Sequence, residues 1–212
     1  MSGSGWGGEE HLVRDADRLG VSMSGQQAAR LLRLLDELAR WNRSYNLTAI
    51  RTPSAMLTHH LLDSLAVSSA LGGTRIADVG TGAGFPGLPL AVVNPARQFT
   101  LIDSVAKKLR FVAHAVELLG LENVTPLQAR VEKLRVDTPF ETVVARAFAP
   151  LPKLLSAVAR LCGPQTQVLA MKGKLPRAEL AALPAGWRIV QSRRLLIPGL
   201  DAERCLIALQ RT

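Results

Sequence analysis

The sequence predicts an α/β fold: a seven-stranded, mostly parallel sheet with an antiparallel last strand, preceded by a helical extension. Three observations predict it. From residue 74 onward, short apolar runs alternate with helical stretches, the arrangement of a parallel sheet with crossover helices. The first of these runs enters a glycine-rich turn, DVGTGAGFPG at 78–87. Before residue 73 the apolar residues recur at helical spacing. With 212 residues, one large α/β domain and a few extra helices fit, whereas two full domains would be cramped. The chain divides into a flexible lead-in (1–20), the helical extension (21–73) and the α/β domain (74–212).

MSGSGWGG has neither the basic start nor the apolar centre of a signal peptide, so the lead-in is no address and the protein is expected in the cytoplasm. From Ser24, the stretch SGQQAARLLRLLDELARWN carries an apolar stripe, Ala28, Leu31, Leu32, Leu35, Leu38 and Ala39, with Ser24 and Gln27 spaced as a capping box. The loop RSYNLTAIR follows. Thr52 then reads as an N-cap and Pro53 as the first residue of a second helix, which runs to Gly72 and Gly73.

Five strands are expected at 75–79, 99–103, 123–128, 141–145 and 166–171, with helices near 86–93, 104–119, 151–161 and 176–182. Pro126 cannot donate to a sheet ladder and places the third strand near an edge. The segments 187–197 and 203–209, separated by a Pro-Gly turn, predict an antiparallel hairpin on the sheet edge.

Composition narrows the function. Hydrophobic residues make up 48% and charged residues 20%, ordinary for a globular protein, and no apolar run is long enough to span a membrane. The formal charge of +9 attracts polyphosphate backbones, because Lys and Arg release their counterions. Cys162 and Cys205 lack the spacing of a redox or zinc motif and are expected to be reduced, packed thiols. His60 and Asp63 could share a helix face, but no third ligand accompanies them, so no metal site is expected.

The glycine loop carries the chemistry. Gly80, Gly82 and Gly84 let the chain bend through positive φ and let a ligand lie against bare backbone, and Asp103 at the end of the second strand is placed to accept ribose hydroxyls. Gly82, Gly84 and Gly87 also fit the dinucleotide pattern G-x-G-x-x-G, so a nicotinamide-dependent oxidoreductase is a candidate. Two features favour S-adenosylmethionine. Pro86 removes an amide donor where a pyrophosphate would need one, and Asp78 places a carboxylate beside the loop, suited to an ammonium and a sulfonium.

The series WNRSYNLTAI (41–50), HHLLDSL (59–65), DVGTGAGFPGLPLA (78–91), FTLIDSVAKKLRF (99–111), LENVTPLQARVE (121–132), ARAFAPL (145–151) and MKGK (171–174) closely resembles the glucose-inhibited division protein B family, bacterial 16S ribosomal RNA guanine N7-methyltransferases. The resemblance implies a Rossmann-like, S-adenosylmethionine-dependent methyltransferase sheet. It also implies methylation of one guanine, position 527 in the family's nomenclature, in 16S rRNA; the expected partner is that rRNA within the small ribosomal subunit or an assembly intermediate, and the protein is expected to be a monomer. The resemblance carries cofactor contacts onto Gly80, Phe85, Asp103, Val131, Glu132 and Arg146, with Val131 and Glu132 where the adenine would lie; Gly82, from the glycine loop itself, is a further candidate cofactor contact. Ala145 stands where relatives often have serine, and His59 where some have arginine.

Guanine N7 has a lone pair and no proton to lose, which suits a sequence without a catalytic dyad. Arg146, at the end of the fourth strand, orients substrate or cofactor, since its planar fork can bind a carboxylate, a carbonyl or a guanine edge. Lys107, Lys108 and Arg110 open a helix whose dipole they oppose, and Lys172 and Lys174 follow the fifth strand; both clusters are candidate RNA-backbone contacts. Trp41, Asn42, Tyr45 and Asn46 either pin the extension or touch RNA. A noncatalytic RNA-binding protein on the same fold is the remaining alternative.

Overall fold

The computed structural model describes residues 6–212. Helix α1 (Glu9–Arg18) corrects the expected flexible lead-in: Leu12 and Ala16 are fully buried against the next helix, and Trp6 donates from Nε1 to Asp36 at 2.7 Å. The first part of the lead-in, residues 1–5, lies outside the described residues. Helix α2 (Gly25–Tyr45) starts as expected, with the Ser24 side chain accepting from the Gln27 amide and Gln27 answering on the Ser24 amide. Its buried face includes Ala28, Leu31, Leu32, Leu35 and Leu38, the predicted stripe, with Ala39 half-buried.

The second predicted helix is broken up. It consists of α3 (Pro53–Met56), a widened π-helical turn (Leu57–Leu62), α4 (Asp63–Leu65) and a 3₁₀ turn (Ser68–Ala70). Pro53 opens it, but the Thr52 side chain makes no capping bond. Apolar periodicity signals a helix and its buried face; it does not register the extra residue that widens a turn.

The α/β domain follows in the predicted order: β1 (Arg75–Val79), α5 (Gly87–Val93), β2 (Gln98–Asp103), α6 (Ala106–Leu119), β3 (Val124–Gln128), β4 (Phe140–Arg146), α7 (Leu151–Val158), β5 (Cys162–Lys172), α8 (Arg177–Ala181), β6 (Trp187–Arg194) and β7 (Cys205–Arg211). The seven strands form one sheet in the order β3-β2-β1-β4-β5-β7-β6. The first five are parallel, and β7 runs antiparallel between β5 and β6. Pro126 lies on the edge strand β3, where its missing N–H costs no ladder bond.

Side chains alternate across the sheet and so divide into two cores. Ile76, Phe99, Leu101, Val144 and Leu169 face α5 and α6, and the same continuous cluster runs through α2 to Leu12 and Trp6. Ala77, Val79, Ile102, Val143 and Ala145 face α7 on the other side. The extension therefore shares one core with the sheet. Strand order reverses between β1 and β4, which opens a crevice at the carboxyl ends of the strands.

Candidate active site

At the end of β1 the chain turns through Gly80, whose φ is 70°. An added Cβ there would stand 2.5 Å from Phe148 Cδ2, so glycine is needed both for the conformation and for the approach of that ring. Asp78 organises the loop from beneath. It is fully buried, and its Oδ2 accepts from Thr81 Oγ1 at 2.6 Å and from the Gly87 amide at 2.8 Å. Burial pushes its carboxyl up to about 6, against the lowering effect of those two bonds and of Arg146. The expectation that Asp78 would offer charge to a ligand is corrected: it is turned into the protein. Gly87, with its amide spent on Asp78, is buried as well.

Asp103 ends β2 and faces the crevice. Its Oδ2 accepts from the Gly82 amide at 2.9 Å and its Oδ1 from the Val105 amide at 2.9 Å, which fixes the carboxylate while leaving each oxygen a further lone pair. A cavity of about 390 Å³ opens beside it, lined by Gly80, Asp103, Val131, Glu132, Lys108 and Phe148 among others. The sequence-predicted Gly80, Asp103, Val131 and Glu132 are thus brought together. Gly82 is not in the lining; its part is the bond to Asp103.

Phe85 departs from expectation too. It lies outside the lining of both site cavities, 4% exposed, with its ring stacked on His60 at 4.8 Å and the Arg146 guanidinium 5.8 Å above it. An apolar ring at the loop's end gains more by joining the core than by facing solvent. Phe148, two residues beyond Arg146, lines the cavity instead.

A second cavity, about 430 Å³, adjoins the first, and Ala147 lines both. Ala147 has φ 51°, the left-handed region that a non-glycine residue rarely adopts. The turn puts Arg146 into the second cavity and Phe148 into the first. Arg146 NH1 donates to the His59 carbonyl at 2.7 Å, on the π-helical turn, and to Asp63 Oδ2 at 2.9 Å. Arg204, just before β7, donates from Nε to the other oxygen of Asp63 at 3.1 Å. One buried carboxylate thereby holds two guanidiniums.

His60 does not pair with Asp63. Its Nε2 lies 3.1 Å from Thr48 Oγ1, and burial, with Arg146 and His59 nearby, depresses its pKa to about 3, so the ring is neutral. Among the described residues no cluster of His, Cys, Asp and Glu could hold a metal. Cys162 and Cys205 are free and buried, and burial raises the Cys162 thiol to about 12.

The basic clusters divide. Lys108 lines the first cavity, and Lys107 Nζ donates to the Tyr45 carbonyl at 3.1 Å, tying α6 to the extension. Lys172 Nζ bonds the Ala149 carbonyl at 2.9 Å and Glu179 at 2.8 Å, so its charge is already matched. Of the two clusters, Arg110 and Lys174 are exposed. Asn42 pins the extension's loop by bonding both the carbonyl and the amide of Thr48 at 2.9 Å, whereas Tyr45 is exposed.

Asp63, Arg204 and Phe148 were not singled out from sequence as site residues. Phe148 could have been suspected from its place just past a parallel strand's carboxyl end. Arg204 reaches the site because Cys205 pairs with Lys172 across the sheet, a register visible only in the fold.

Comparison with known proteins converges on one family. Residues 27–207 match the family model described as rRNA small subunit methyltransferase G. Proteins named "Ribosomal RNA small subunit methyltransferase G" from Aeromonas salmonicida (strain A449) and Methylococcus capsulatus are 47% and 49% identical, covering 89% and 95% of this chain and 90% and 98% of their own length. Among solved structures, a SAM-dependent methyltransferase from Aquifex aeolicus superposes with a TM-score of 0.56 at 21% identity, over 78% of this chain and 97% of its own, and shows the fold. The chain belongs to the rRNA small subunit methyltransferase G family.

Proposed function

We propose that this protein transfers a methyl group from S-adenosylmethionine to N7 of one guanine, position 527 in the family's nomenclature, of 16S rRNA. The carrying observation is the pair of adjoining cavities at the strand-order reversal, one built around Asp103 and bare loop backbone, the other around Arg146. The first suits the cofactor: Gly80 is part of its wall, and the fixed Asp103 carboxylate retains acceptor capacity for two hydroxyls. Asp103 would hold the ribose, Val131 and Glu132 the adenine, and Gly80 the methionine end. Gly87, buried and bonded to Asp78, argues against a pyrophosphate and hence against a nicotinamide cofactor.

When bound, S-adenosylmethionine would supply an electrophilic methyl carbon; the guanine N7 lone pair would form the new bond as the carbon–sulfur bond breaks and S-adenosylhomocysteine leaves, and since N7 has no proton to lose, no general base is required. The neutral His60, stacked on Phe85, is in keeping with that. What the chain provides is alignment and exclusion of water. Arg146 is held by the His59 carbonyl and Asp63, so its remaining N–H groups have a fixed direction. Phe148 covers the loop at Gly80, and Met171 gives the second cavity an apolar wall.

The substrate is rRNA within the small subunit or an assembly intermediate, the enzyme acts as a monomer, and its place is the cytoplasm; among the described residues no helix is long and apolar enough to cross a membrane. Incubation with labelled S-adenosylmethionine and unmethylated 16S rRNA, naked or in small-subunit particles, followed by cleavage mapping of N7-methylguanine, tests the reading. Label at one guanine is expected; no transfer to any form of the RNA, or calorimetric binding of NADH alone, overturns it.

A further inference from the structure

The second cavity has a wall chemistry of its own. Ile50 and Met171 offer apolar surface of the kind a flat ring needs, while Arg146 and Arg204 bring hydrogen-bond donors. Arg146 spends NH1 on His59 and Asp63, and Arg204 spends Nε on Asp63 and one NH1 hydrogen on the Glu203 carbonyl. Among the described residues, NH2 of both guanidiniums has no protein acceptor. Asp63, whose side chain is only 3% exposed, sits between them and fixes both.

Two paired arginines suggest a phosphate, but the carboxylate between them offsets one of the two charges, and the cavity is partly apolar. A neutral base with acceptors on its edge fits better. Guanine presents O6 and N7 on that edge, whereas adenine presents N7 and an amino donor, which would meet another donor. N7 must remain open to receive the methyl group, which leaves O6 for the protein.

Resting on the methyltransferase reading above, we propose that the second cavity receives the target guanine and that Arg204, oriented by Asp63, selects it through O6. Arg204 touches the base and is a specificity-determining residue; Asp63 is a positioning residue that acts through the two arginines. Ala147, shared by both cavities, sets the base beside the methyl donor. The Asp63 carboxylate also keeps the base, which becomes cationic on methylation, from facing two uncompensated guanidiniums.

A cycle between protein variant and base analogue tests this. Small-subunit particles are reconstituted on 16S rRNA ligated to carry guanine or 2-aminopurine, which keeps N7 but lacks O6, at the target position. Wild-type protein is expected to lose about 100-fold in kcat/KM on 2-aminopurine, and Arg204→Gln to lose about as much on guanine. On 2-aminopurine the variant and wild type should agree within about threefold, because the contact is already gone. S-adenosylmethionine affinity, measured by calorimetry, should be unchanged in the variant; should Arg204→Gln lose it, Arg204→Lys, which keeps the charge without the fork, carries the same comparison. Equal losses on both bases, or no loss on guanine, overturn the assignment of Arg204 and leave the methyltransferase reading standing. Absence of transfer by the wild-type protein to guanine overturns both.

Discussion

Asp103 joins two roles in one carboxylate, because the oxygens that would receive a ribose also tie down the Gly82 and Val105 amides. Charge-assisted hydrogen bonds contribute about 1.5–3 kcal/mol each, so Asp103→Ala should weaken S-adenosylmethionine binding by about 100-fold or more in a calorimetric titration. Unaltered affinity would exclude the proposed ribose contact. Asp78 makes a different prediction. Its carboxyl lies near 6 when folded against 3.8 ordinarily, so the folded state holds the proton more tightly. The stability this gives is present in full below pH about 4 and is lost as pH rises through about 6. Asp78→Asn should abolish that fall: the difference in urea-unfolding free energy between wild type and variant should change by roughly 2–3 kcal/mol between pH 4 and 7. A pH-independent difference would show that Asp78 ionises normally. Asp103 was legible in the sequence because local order, an acid at a strand end, was sufficient. Asp63 was not, since its partners Arg146 and Arg204 lie 83 and 141 residues away along the chain.

Among the elements, the turn after β4 is the most constrained. Ala147 occupies the left-handed region at a cost of about 1–2 kcal/mol relative to glycine, and its neighbours serve two different cavities. Ala147→Gly should therefore raise the denaturation midpoint by an amount equivalent to up to about 1 kcal/mol, part of the gain being offset by a freer unfolded chain. Lower stability in the variant would mean that the methyl group makes packing contacts worth more than the strain. Strands proved easier to locate than this turn. RIADV at 75–79 coincides with β1, and Pro126 correctly announced an edge, because a parallel strand buried on both faces has to be a short apolar run and proline has to avoid an interior ladder. The 53–72 segment resisted the same treatment. Its apolar residues repeat at helical spacing whether the turn holds the usual number of residues or one more, and the widened turn at Leu57–Leu62 meets Arg146 from a strand far along the chain.

For the whole molecule, the continuity of one core from Trp6 and Leu12 through α2 to the sheet makes the amino-terminal segment part of the domain's stability. Deleting residues 1–20 uncovers that surface; the loss of the buried Trp6 and Leu12 side chains alone should cost about 3–6 kcal/mol, seen by calorimetry as a clear fall in Tm. An unchanged Tm would restore the segment to a dispensable lead-in. The charge of +9 acts at the same scale. Affinity for rRNA should fall linearly on a log–log plot against salt, and neutralising a true phosphate contact, with the exposed Arg110 and Lys174 as first choices, should flatten the slope by about 0.7–0.9 without affecting cofactor binding. A slope unmoved by either substitution would place the RNA elsewhere on the surface.

The position of β7 bears on time as well as space. β6 is synthesised first, yet its neighbour in the sheet is β7, and β7 is also what joins β6 to β5. While the polypeptide is still being made, β6 has nothing to pair with, and the parallel strands must wait for a later segment to complete them. Arg204 enters with that segment, so the second cavity is among the last parts of the molecule to form. The cavity beside Asp103 is lined only from the ends of β1 to β4 and the start of α6, so of the two proposed cavities it is the one for the base, with its Arg204 wall, that depends on β7 closing the sheet.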